Sequence, residues 1–267
     1  MKKSAPTQPM RLFGLIGYPL GHSFSKQYFS DKFLAEGIPD ARYELFPLEN
    51  ISLLKDILAA HPDLRGLNVT IPYKQQVIPL LDQLDPDARK IGAVNVIDIR
   101  DGQLIGYNTD AFGFMESLRR CFEQEELDLP GDIQALVLGT GGASKAVGAM
   151  LDNMGIPFRR VSRQASGETL AYADLNKRMM QEHRLIINTT PLGTYPETQG
   201  KPDIPYAFLS SRHILYDLVY NPPLTAFLQE GKERGCILIN GLDMLYLQAE
   251  KAWEIWTGKS SDIIRKP

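Results

Sequence analysis

The sequence predicts a two-domain α/β protein with mostly parallel sheets. Short apolar segments of strand length alternate with longer segments in which apolar residues recur at helical spacing. This alternation is typical of sheets covered by helices on both faces. A glycine-rich turn at Gly139–Ser144 follows a continuous apolar segment and precedes a helical pattern, as in nucleotide-binding domains. The length of 267 residues is sufficient for two such domains.

The first domain is predicted over residues 10–111, after a polar leader in residues 1–9 that is expected to be disordered. The segment after the first strand has apolar residues at 28, 29, 33 and 34, which is helical spacing. The predicted elements are, in order, a strand at 12–16, a helix at 25–36, a strand at 42–46, a helix at 51–60 and strands at 66–69 and 93–99.

The second domain is predicted over residues 112–239, as a doubly wound (Rossmann-type) fold. Its predicted elements are a helix at 111–126, a turn at Pro130-Gly131, and strands at 133–138, 158–161, 185–188, 214–218 and 236–239. Residues 240–267 contain a last helix at 244–257, which is expected to pack back on the first domain. Its predicted core face comprises Leu245, Ala249, Ala252 and Trp256.

Composition argues against several classes of function. Basic and acidic residues number 29 and 32, so the net charge of -3 gives no strong field for nucleic acid or an anionic membrane. Cys121 and Cys236 lie far apart and the histidines are scattered, which argues against a disulfide framework and a metal site. No apolar run approaches the ~20 residues of a membrane span, and the start lacks a signal-peptide core. We therefore expect a cytoplasmic protein with no metal, nucleic-acid or membrane partner.

The glycine-rich turn is the first candidate binding site. Glycines at 139, 141 and 142 let the backbone approach a pyrophosphate closely, and the next helix offers free N–H groups. Ala143 and Ser144 complete the pattern G-x-G-x-x-S, which has a small residue where a third glycine is usual. A plain strand-to-helix turn is the alternative, and the flanking strands favour a dinucleotide.

The residues after the second strand of this domain indicate which dinucleotide is bound. An acidic residue at that position binds a free ribose hydroxyl, whereas a basic residue accommodates a 2′-phosphate. Here the strand continues into Ser162 and Arg163, and no acidic residue follows before Glu168. Arg163 could bind a phosphate with its planar guanidinium, and Ser162 could add a donor. The sequence therefore favours NADP, with a solvated surface charge as the alternative for Arg163.

In the first domain, the segment Asn68–Lys74 carries the chemistry. Asn68 and Thr70 point the same way if the segment is extended. Lys74 follows the strand end, where clefts of α/β proteins form, and a lysine there can exchange a proton with a substrate hydroxyl. An isolated lysine would be interpreted as a solvated cation, but its polar neighbours favour a catalytic role.

A second polar cluster, Gly106–Asp110, lies in a loop before a helix. Asp110 could orient Lys74 and bind a hydroxyl, or it could simply cap the helix. Asn95 is an unusual polar residue in an apolar strand, so we expect a partner to satisfy it, and a ligand hydroxyl is one such partner.

Ser23 and Ser25 immediately precede or begin the first helix. Two hydroxyls at a helix N-terminus are suited to binding a carboxylate. The alternative is that Ser25 is only a helix cap. No binding role is assigned to the neighbouring His22.

Together these motifs resemble the shikimate dehydrogenase family, over nearly the whole chain from Leu12 to Gly258. The resemblance extends to Asn188–Gly193, Tyr216–Pro222 and Asn240-Gly241. It implies an NADP-dependent enzyme that reversibly reduces 3-dehydroshikimate to shikimate, in the pathway to aromatic amino acids. It also implies that the first domain binds the substrate and the second binds NADP. The chain is expected to be a monomer or a homodimer.

The resemblance further implies roles for individual residues, with Lys74 and Asp110 as the catalytic pair. Substrate-binding residues are implied at Ser23, Ser25, Asn68, Thr70, Asn95, Tyr220 and Gln248. Residues bordering the nicotinamide are implied at Thr190, Val219 and Gly241.

The sequence departs from the family at two positions. Asp243 stands where a small residue is frequent, and Lys145 replaces a more usual arginine. Three alternatives remain: a quinate/shikimate dehydrogenase with relaxed use of NAD and NADP, a non-catalytic nucleotide sensor, and a lysine-dependent folate dehydrogenase. Arg163 argues against NAD, the presence of Lys74 and Asp110 against a sensor, and the paired serines against a flat pterin.

Overall fold

A computed structural model describes residues 9–21, 23–127 and 133–259. The chain divides into two compact units. The first comprises the residues up to Thr109 together with those from Ala249, and the second comprises Asp110–Gln248. The predicted leader up to residue 8, His22 and the predicted turn Pro130-Gly131 lie outside the described residues.

The sheet of the first unit is mixed. Its strands are β1 (Arg11–Gly17), β2 (Ala41–Pro47), β3 (Leu64–Val69), β4 (Gln83–Leu84), β5 (Val96–Arg100) and β6 (Gln103–Tyr107). They lie in the order β2-β1-β3-β5-β6-β4. β1 pairs in parallel with β2 and β3, whereas β5 pairs antiparallel with β3 and β6. The parallel part places the carboxyl ends of β1 and β3 side by side, with Ile16 opposite Val69.

Helices cover both faces of this sheet. They are α1 (Phe24–Ala35), α2 (Leu54–Ala60), α3 (Tyr73–Gln76) and α4 (Pro86–Ile91), joined by the last half of α9 (Leu242–Thr257). One core lies under α2, and the other is aromatic and lies under α1 and α9. In the aromatic core, Phe13 and Trp256 stack with centroids 4.9 Å apart. Lys32 of α1 and Glu250 of α9 add a buried ion pair at 2.9 Å, so the end of α9 is fixed to the first unit.

The sheet of the second unit is entirely parallel. Its strands are β7 (Ala135–Leu138), β8 (Phe158–Ser162), β9 (Leu170–Ala171), β10 (Leu185–Asn188), β11 (Ile214–Asp217) and β12 (Ile237–Ile239). They lie in the order β12-β11-β10-β7-β8-β9. Numbered within the unit, this is the 3-2-1-4-5-6 order of dinucleotide-binding domains, read from the opposite edge. The order reverses between β7 and β10, so their carboxyl ends define the expected binding crevice.

The helices of this unit are α5 (Thr109–Gln124), α6 (Gly142–Asn153), α7 (Lys177–Glu182), α8 (Ala226–Lys232) and the first half of α9. Over the described ranges of the chain, no helix has the length and apolar character needed to cross a membrane.

The predicted α/β fold is confirmed, and several of its details are corrected. β5 begins at Val96 rather than Ala93 and continues through a turn into the antiparallel strand β6, which the sequence analysis does not predict. The helical spacing predicts Leu34 on the buried side of α1, but 84% of its surface is exposed. On α9, Leu245 is only half-buried, and Leu247 and Trp253 lie in the core instead.

Candidate active site

Lys74 lies just beyond the carboxyl end of β3. The strand ends at Val69, and the short helix α3 begins at Tyr73. The buried Tyr73 side chain donates its hydroxyl proton to the Leu48 carbonyl, which attaches α3 to the core. The Val94 N–H donates to the Lys74 carbonyl at 2.7 Å. The half-buried Lys74 side chain therefore extends from a backbone that is held on two sides.

Asn68 lies in β3, Asn95 immediately precedes β5, and both side chains are buried. The Asn68 Nδ2 donates to the Asn95 carbonyl at 3.4 Å. The Asn95 side chain bonds Thr109, whose N–H donates to Oδ1 at 2.6 Å and whose Oγ1 accepts from Nδ2 at 3.0 Å. The hydrogen-bonding partner that we expect for the Asn95 side chain is thus Thr109 of the same unit. Asn95 joins the start of β5 to the start of α5, and its binding of a ligand hydroxyl stays a prediction.

Tyr43 of β2 supports one of the predicted substrate-binding residues. Its hydroxyl donates to the Asn68 Oδ1 at 2.7 Å, and its ring stacks on Phe29 of α1 with centroids 4.8 Å apart. Burial raises the pKa of Tyr43 well above its usual value, and the Ser25 hydroxyl opposes that rise only in part. Tyr43 therefore keeps its proton and links α1 to the end of β3.

The two serines have different structural roles. Ser23 is the N-cap of α1, with an extended backbone and an oxygen that accepts from the Lys26 N–H at 3.4 Å. The alternative of Ser25 as the cap is therefore wrong, because Ser25 lies inside the helix. The Ser23 oxygen accepts in this contact, so its own proton is available for another acceptor.

The remaining substrate-binding predictions fall in both units. Thr70 is held beside β1, since its N–H donates to the Ile16 carbonyl at 2.9 Å. Asp110 lies in the first turn of α5, which begins at Thr109, so the cap position precedes Asp110. Its carboxylate is favourably placed near a helix N-terminus.

Two further predicted residues belong to the second unit. Gln248 is buried, and its Nε2 donates to the Leu245 carbonyl at 2.9 Å. Tyr220 is 40% exposed and follows β11. The structure therefore joins Asn68 and Asn95 in one network within the first unit, whereas Asp110, Tyr220 and Gln248 lie in the second.

The glycine-rich turn has the local structure of a phosphate-binding loop. Gly139 has a φ of +112°, and an added Cβ would lie 2.8 Å from the Thr189 Oγ1, so only glycine fits. Gly141 is the N-cap of α6 and offers no side-chain cap. The Ser144 hydroxyl in the first helical turn is fully buried and has no hydrogen-bond partner among the described residues. An uncapped helix start with an unsatisfied hydroxyl fits a ligand that carries phosphate.

A cleft of about 540 Å³ adjoins this turn. It is lined by Thr140, Ser162, Gln164, Ala165, Ser166 and Thr169. Ser162 shapes the turn after β8, because its hydroxyl donates to the Gln164 carbonyl at 2.8 Å and accepts from the Gln164 N–H at 3.2 Å. Arg163 is exposed beside the cleft, and within the described parts of the chain no carboxylate pairs with it.

Asp217 organises the loops at the carboxyl ends of β10 and β11. It is fully buried and accepts hydrogen bonds from the Asn188 Nδ2 at 2.9 Å, the Val219 N–H at 3.0 Å and the Thr225 Oγ1 at 2.5 Å. Burial raises the pKa of Asp217 to about 6, and these three hydrogen bonds oppose the rise. The Asn188 Oδ1 in turn accepts from the N–H and the hydroxyl of Thr190, at 3.0 and 2.6 Å.

The same network reaches the third residue predicted to border the nicotinamide. The Gly241 N–H donates to the Val219 carbonyl at 3.3 Å. An added Cβ at Gly241 would lie 2.2 Å from the Leu218 carbonyl oxygen, so a side chain cannot be accommodated there. Thr190, Val219 and Gly241 thus all depend on hydrogen bonds that lead to Asp217.

Tyr43 and Asp217 are not among the residues predicted from the sequence. A charged residue within the apolar strand 214–218 is a signal for Asp217, because a buried carboxylate needs several donors. Tyr43 gives no such signal, since tyrosine is common in half-buried strands. The two departures from the family are exposed: Lys145 lies on α6, and Asp243 lies in the first turn of α9, where an acidic residue is favoured.

The fold and the phosphate-binding turn define a two-unit α/β protein of the dinucleotide-binding class. Residues 15–97 match the model of the shikimate dehydrogenase substrate binding domain. A shikimate dehydrogenase (NADP(+)) of Methanococcus aeolicus is 37% identical over 95% of this chain and 94% of its own length. The chain therefore belongs to the shikimate dehydrogenase family.

Solved structures agree with this membership. The shikimate 5-dehydrogenase of Thermus thermophilus, in complex with NADP(H) and shikimate, has a TM-score of 0.81 and 31% identity over 95% of this chain and 96% of its own. The ligand-free 5-ketofructose reductase of a Gluconobacter species has a TM-score of 0.82 and 29% identity over 95% of each chain. The fold is thus shared by proteins named for different substrates.

Proposed function

We propose that this chain is an NADP-dependent shikimate dehydrogenase, which interconverts 3-dehydroshikimate and shikimate. The observation that carries the proposal is the polar cluster at the carboxyl end of β3. There Lys74 extends from a fixed backbone near the Asn68 side chain, which donates to the Asn95 carbonyl. Shikimate has a carboxylate and three hydroxyls, so its recognition needs several convergent hydrogen-bonding groups and no metal.

NADP fits the second unit, because the turn after β7 offers an unsatisfied buried hydroxyl and an uncapped helix start. The pyrophosphate is assigned to Gly139, Gly141, Gly142, Ala143 and Ser144. The 2′-phosphate is assigned to Ser162 and Arg163. The nicotinamide is assigned to Thr190, Val219 and Gly241. When bound, NADP supplies or accepts the hydride, and the protein contributes binding, orientation and the proton.

On the substrate side, Ser23 and Ser25 bind the carboxylate, and the hydroxyls bind Asn68, Thr70, Asn95 and Gln248, with Tyr220 beside the substrate. Lys74 takes the proton of the reacting hydroxyl during oxidation and returns it during reduction. Asp110 holds the Lys74 ammonium in position. Because the cofactor supplies the hydride, the protein contributes to the rate by orienting the substrate and by one proton transfer.

We also propose where the enzyme works and in which oligomeric state. The enzyme works in the cytoplasm as a monomer or homodimer, without nucleic acid or membrane partners. The second candidate function is that of a dehydrogenase that also accepts quinate or NAD. The assay described next distinguishes the two candidates.

The test is oxidation of shikimate and of quinate by the purified protein, each with NADP and with NAD, followed at the absorbance band of the reduced nicotinamide. We expect turnover with shikimate and NADP to exceed the other three combinations. Comparable turnover with quinate or NAD would establish the broader enzyme instead. No turnover of shikimate with either cofactor, in a folded sample that binds NADP, would refute the proposal. The Lys74→Met variant is the control for activity from a contaminating enzyme.

A further inference from the structure

The Thr190 hydroxyl, which is assigned to the border of the nicotinamide, has its proton committed within the second unit. It donates to the Asn188 Oδ1 at 2.6 Å, and the Thr190 N–H donates to the same oxygen at 3.0 Å. Asn188 is fully buried at the last position of β10. Its oxygen therefore receives both donors of Thr190, and the hydroxyl can turn its proton to a ligand only by giving up a short hydrogen bond.

Asp217 holds the Asn188 amide in this direction. The Asn188 Nδ2 donates to the Asp217 Oδ1 at 2.9 Å. The Val219 N–H donates to the same oxygen at 3.0 Å, so this oxygen must be an acceptor. An amide whose nitrogen faces Asp217 presents its oxygen to Thr190. Because each end of the Asn188 side chain meets groups of fixed polarity, reversing the amide would lose hydrogen bonds at both ends.

The group that Thr190 offers to a ligand is therefore an acceptor. Its oxygen has two lone pairs, and the Leu192 N–H approaches one of them at 3.4 Å. Thr190 is half-buried, so its surface is in part accessible. The nicotinamide carries a carboxamide, whose amino group donates hydrogen bonds and whose carbonyl accepts them. Only the amino group matches the polarity of Thr190.

We propose that the Thr190 oxygen accepts a hydrogen bond from the carboxamide amino group of NADP, and that Asn188 sets this polarity. This inference rests on the proposed function and deepens it. Thr190 would contact the cofactor, and Asn188 is a positioning residue that acts through Thr190. Since the carboxamide is attached to the nicotinamide ring, the contact restricts how the ring is turned in its site, and a cofactor without the amino group binds less tightly.

The test compares NADP with its 3-acetylpyridine analogue, in which a methyl group replaces the amino group and the carbonyl is kept. Dissociation constants are measured by titration calorimetry with 3-dehydroshikimate present, so that both ligands are oxidised and no turnover occurs. We expect the wild type to bind NADP about tenfold more tightly than the analogue, as for one hydrogen bond. Thr190→Val should weaken NADP binding to the level of the analogue and leave binding of the analogue nearly unchanged. Thr190→Ser keeps the hydroxyl and should keep the preference.

Asn188→Leu tests the positioning role. Without the Asn188 oxygen, the Thr190 proton is free to turn to the carbonyl of either cofactor, so the preference for NADP should fall below about threefold although the hydroxyl remains. Thr225→Val is the matched control, because the Thr225 Oγ1 donates to the other oxygen of Asp217, at 2.5 Å, and makes no link to Thr190. This variant should keep the preference of the wild type. Thermal unfolding checks that each variant is folded, and the two Thr190 variants test the contact even if Asn188→Leu is not.

Equal affinity of the wild type for both cofactors would overturn the inference, and so would a preference that survives Thr190→Val. A folded Asn188→Leu variant with an unchanged preference would overturn the role of Asn188. Failure of the proposed function gives a different result, because the wild type would then bind no NADP or would not oxidise shikimate. If it does both and shows no preference between the cofactors, only this inference fails.

Discussion

Replacement of Asp217 by asparagine tests whether a buried charge organises the loops of the second unit. The carboxylate is fully buried, and burial raises its pKa to about 6 from its usual value of 3.8. A raised pKa means that folding disfavours the charged form. The contribution of Asp217 to stability is therefore fully present below the unfolded pKa and is lost as the pH rises through about 6.

The size of the effect follows from the two pKa values. One pKa unit corresponds to about 1.4 kcal/mol, so the difference between about 6 and 3.8 corresponds to about 3 kcal/mol at high pH. Between about pH 4.5 and about pH 7.5, the folded wild type should lose about 2 kcal/mol through this group alone. Asparagine has the same shape and no charge to desolvate, so the variant should not show this loss.

The assay is urea unfolding of the wild type and the Asp217→Asn variant at several pH values across that range. The stability of the variant relative to the wild type should improve by about 2 kcal/mol from the lowest to the highest pH. Asp152→Asn, at an exposed position of α6, makes the same change in net charge and should show little of this trend. A difference between wild type and Asp217→Asn that does not vary with pH would refute the reasoning.

Three further predictions concern binding and turnover. Arg163→Ala should raise the KM for NADP about ten- to a hundredfold, because a charge-assisted hydrogen bond is lost, and leave that for NAD nearly unchanged. An equal rise for both cofactors would contradict the 2′-phosphate assignment. Ser23→Ala combined with Ser25→Ala should weaken shikimate binding in a titration while NADP binding is retained, with thermal unfolding as the control for the lost cap of α1. Unchanged shikimate affinity would place the carboxylate elsewhere. Lys74→Met should lower single-turnover hydride transfer by about 10²–10⁴, and adding Asp110→Asn should cost less than the product of the two single losses. A transfer rate near wild type would exclude Lys74 as the proton carrier.

The second unit is the part of the fold that the sequence predicts best. Its central strands β7, β10 and β11 are buried along their whole length and contain continuous apolar segments, at residues 135–138, 185–187 and 214–216. The fold of the first unit is harder to predict from the sequence, because β6 begins after a two-residue turn and carries polar ends at Gln103 and Tyr107. An antiparallel neighbour of this kind leaves a weak pattern in sequence, since only alternate residues need be apolar.

The residues of the candidate site also differ in how well the sequence predicts them. Lys74, Asn68 and the glycine turn are visible because their residue types are unusual where they stand, at strand ends and in tight turns. Tyr43 and Asp217 act through contacts between residues distant in sequence, such as the pair Tyr43 and Asn68, and no local pattern encodes these contacts. The cap of α1 is Ser23 rather than Ser25 because the geometry of a helix start depends on backbone angles that the sequence leaves open.

The choice of substrate must be decided by local groups and not by the fold. A protein named for the reduction of 5-ketofructose, which has no carboxylate, matches this chain with a TM-score of 0.82, and one solved with shikimate matches it with 0.81. Overall architecture therefore does not separate an acidic substrate from a neutral one. What distinguishes an acid is a donor for its carboxylate, and in the first unit that donor is assigned to Ser23 and Ser25. A neutral sugar offers these serines no carboxylate to bind, so the proposal places selectivity for an acid at Ser23 and Ser25.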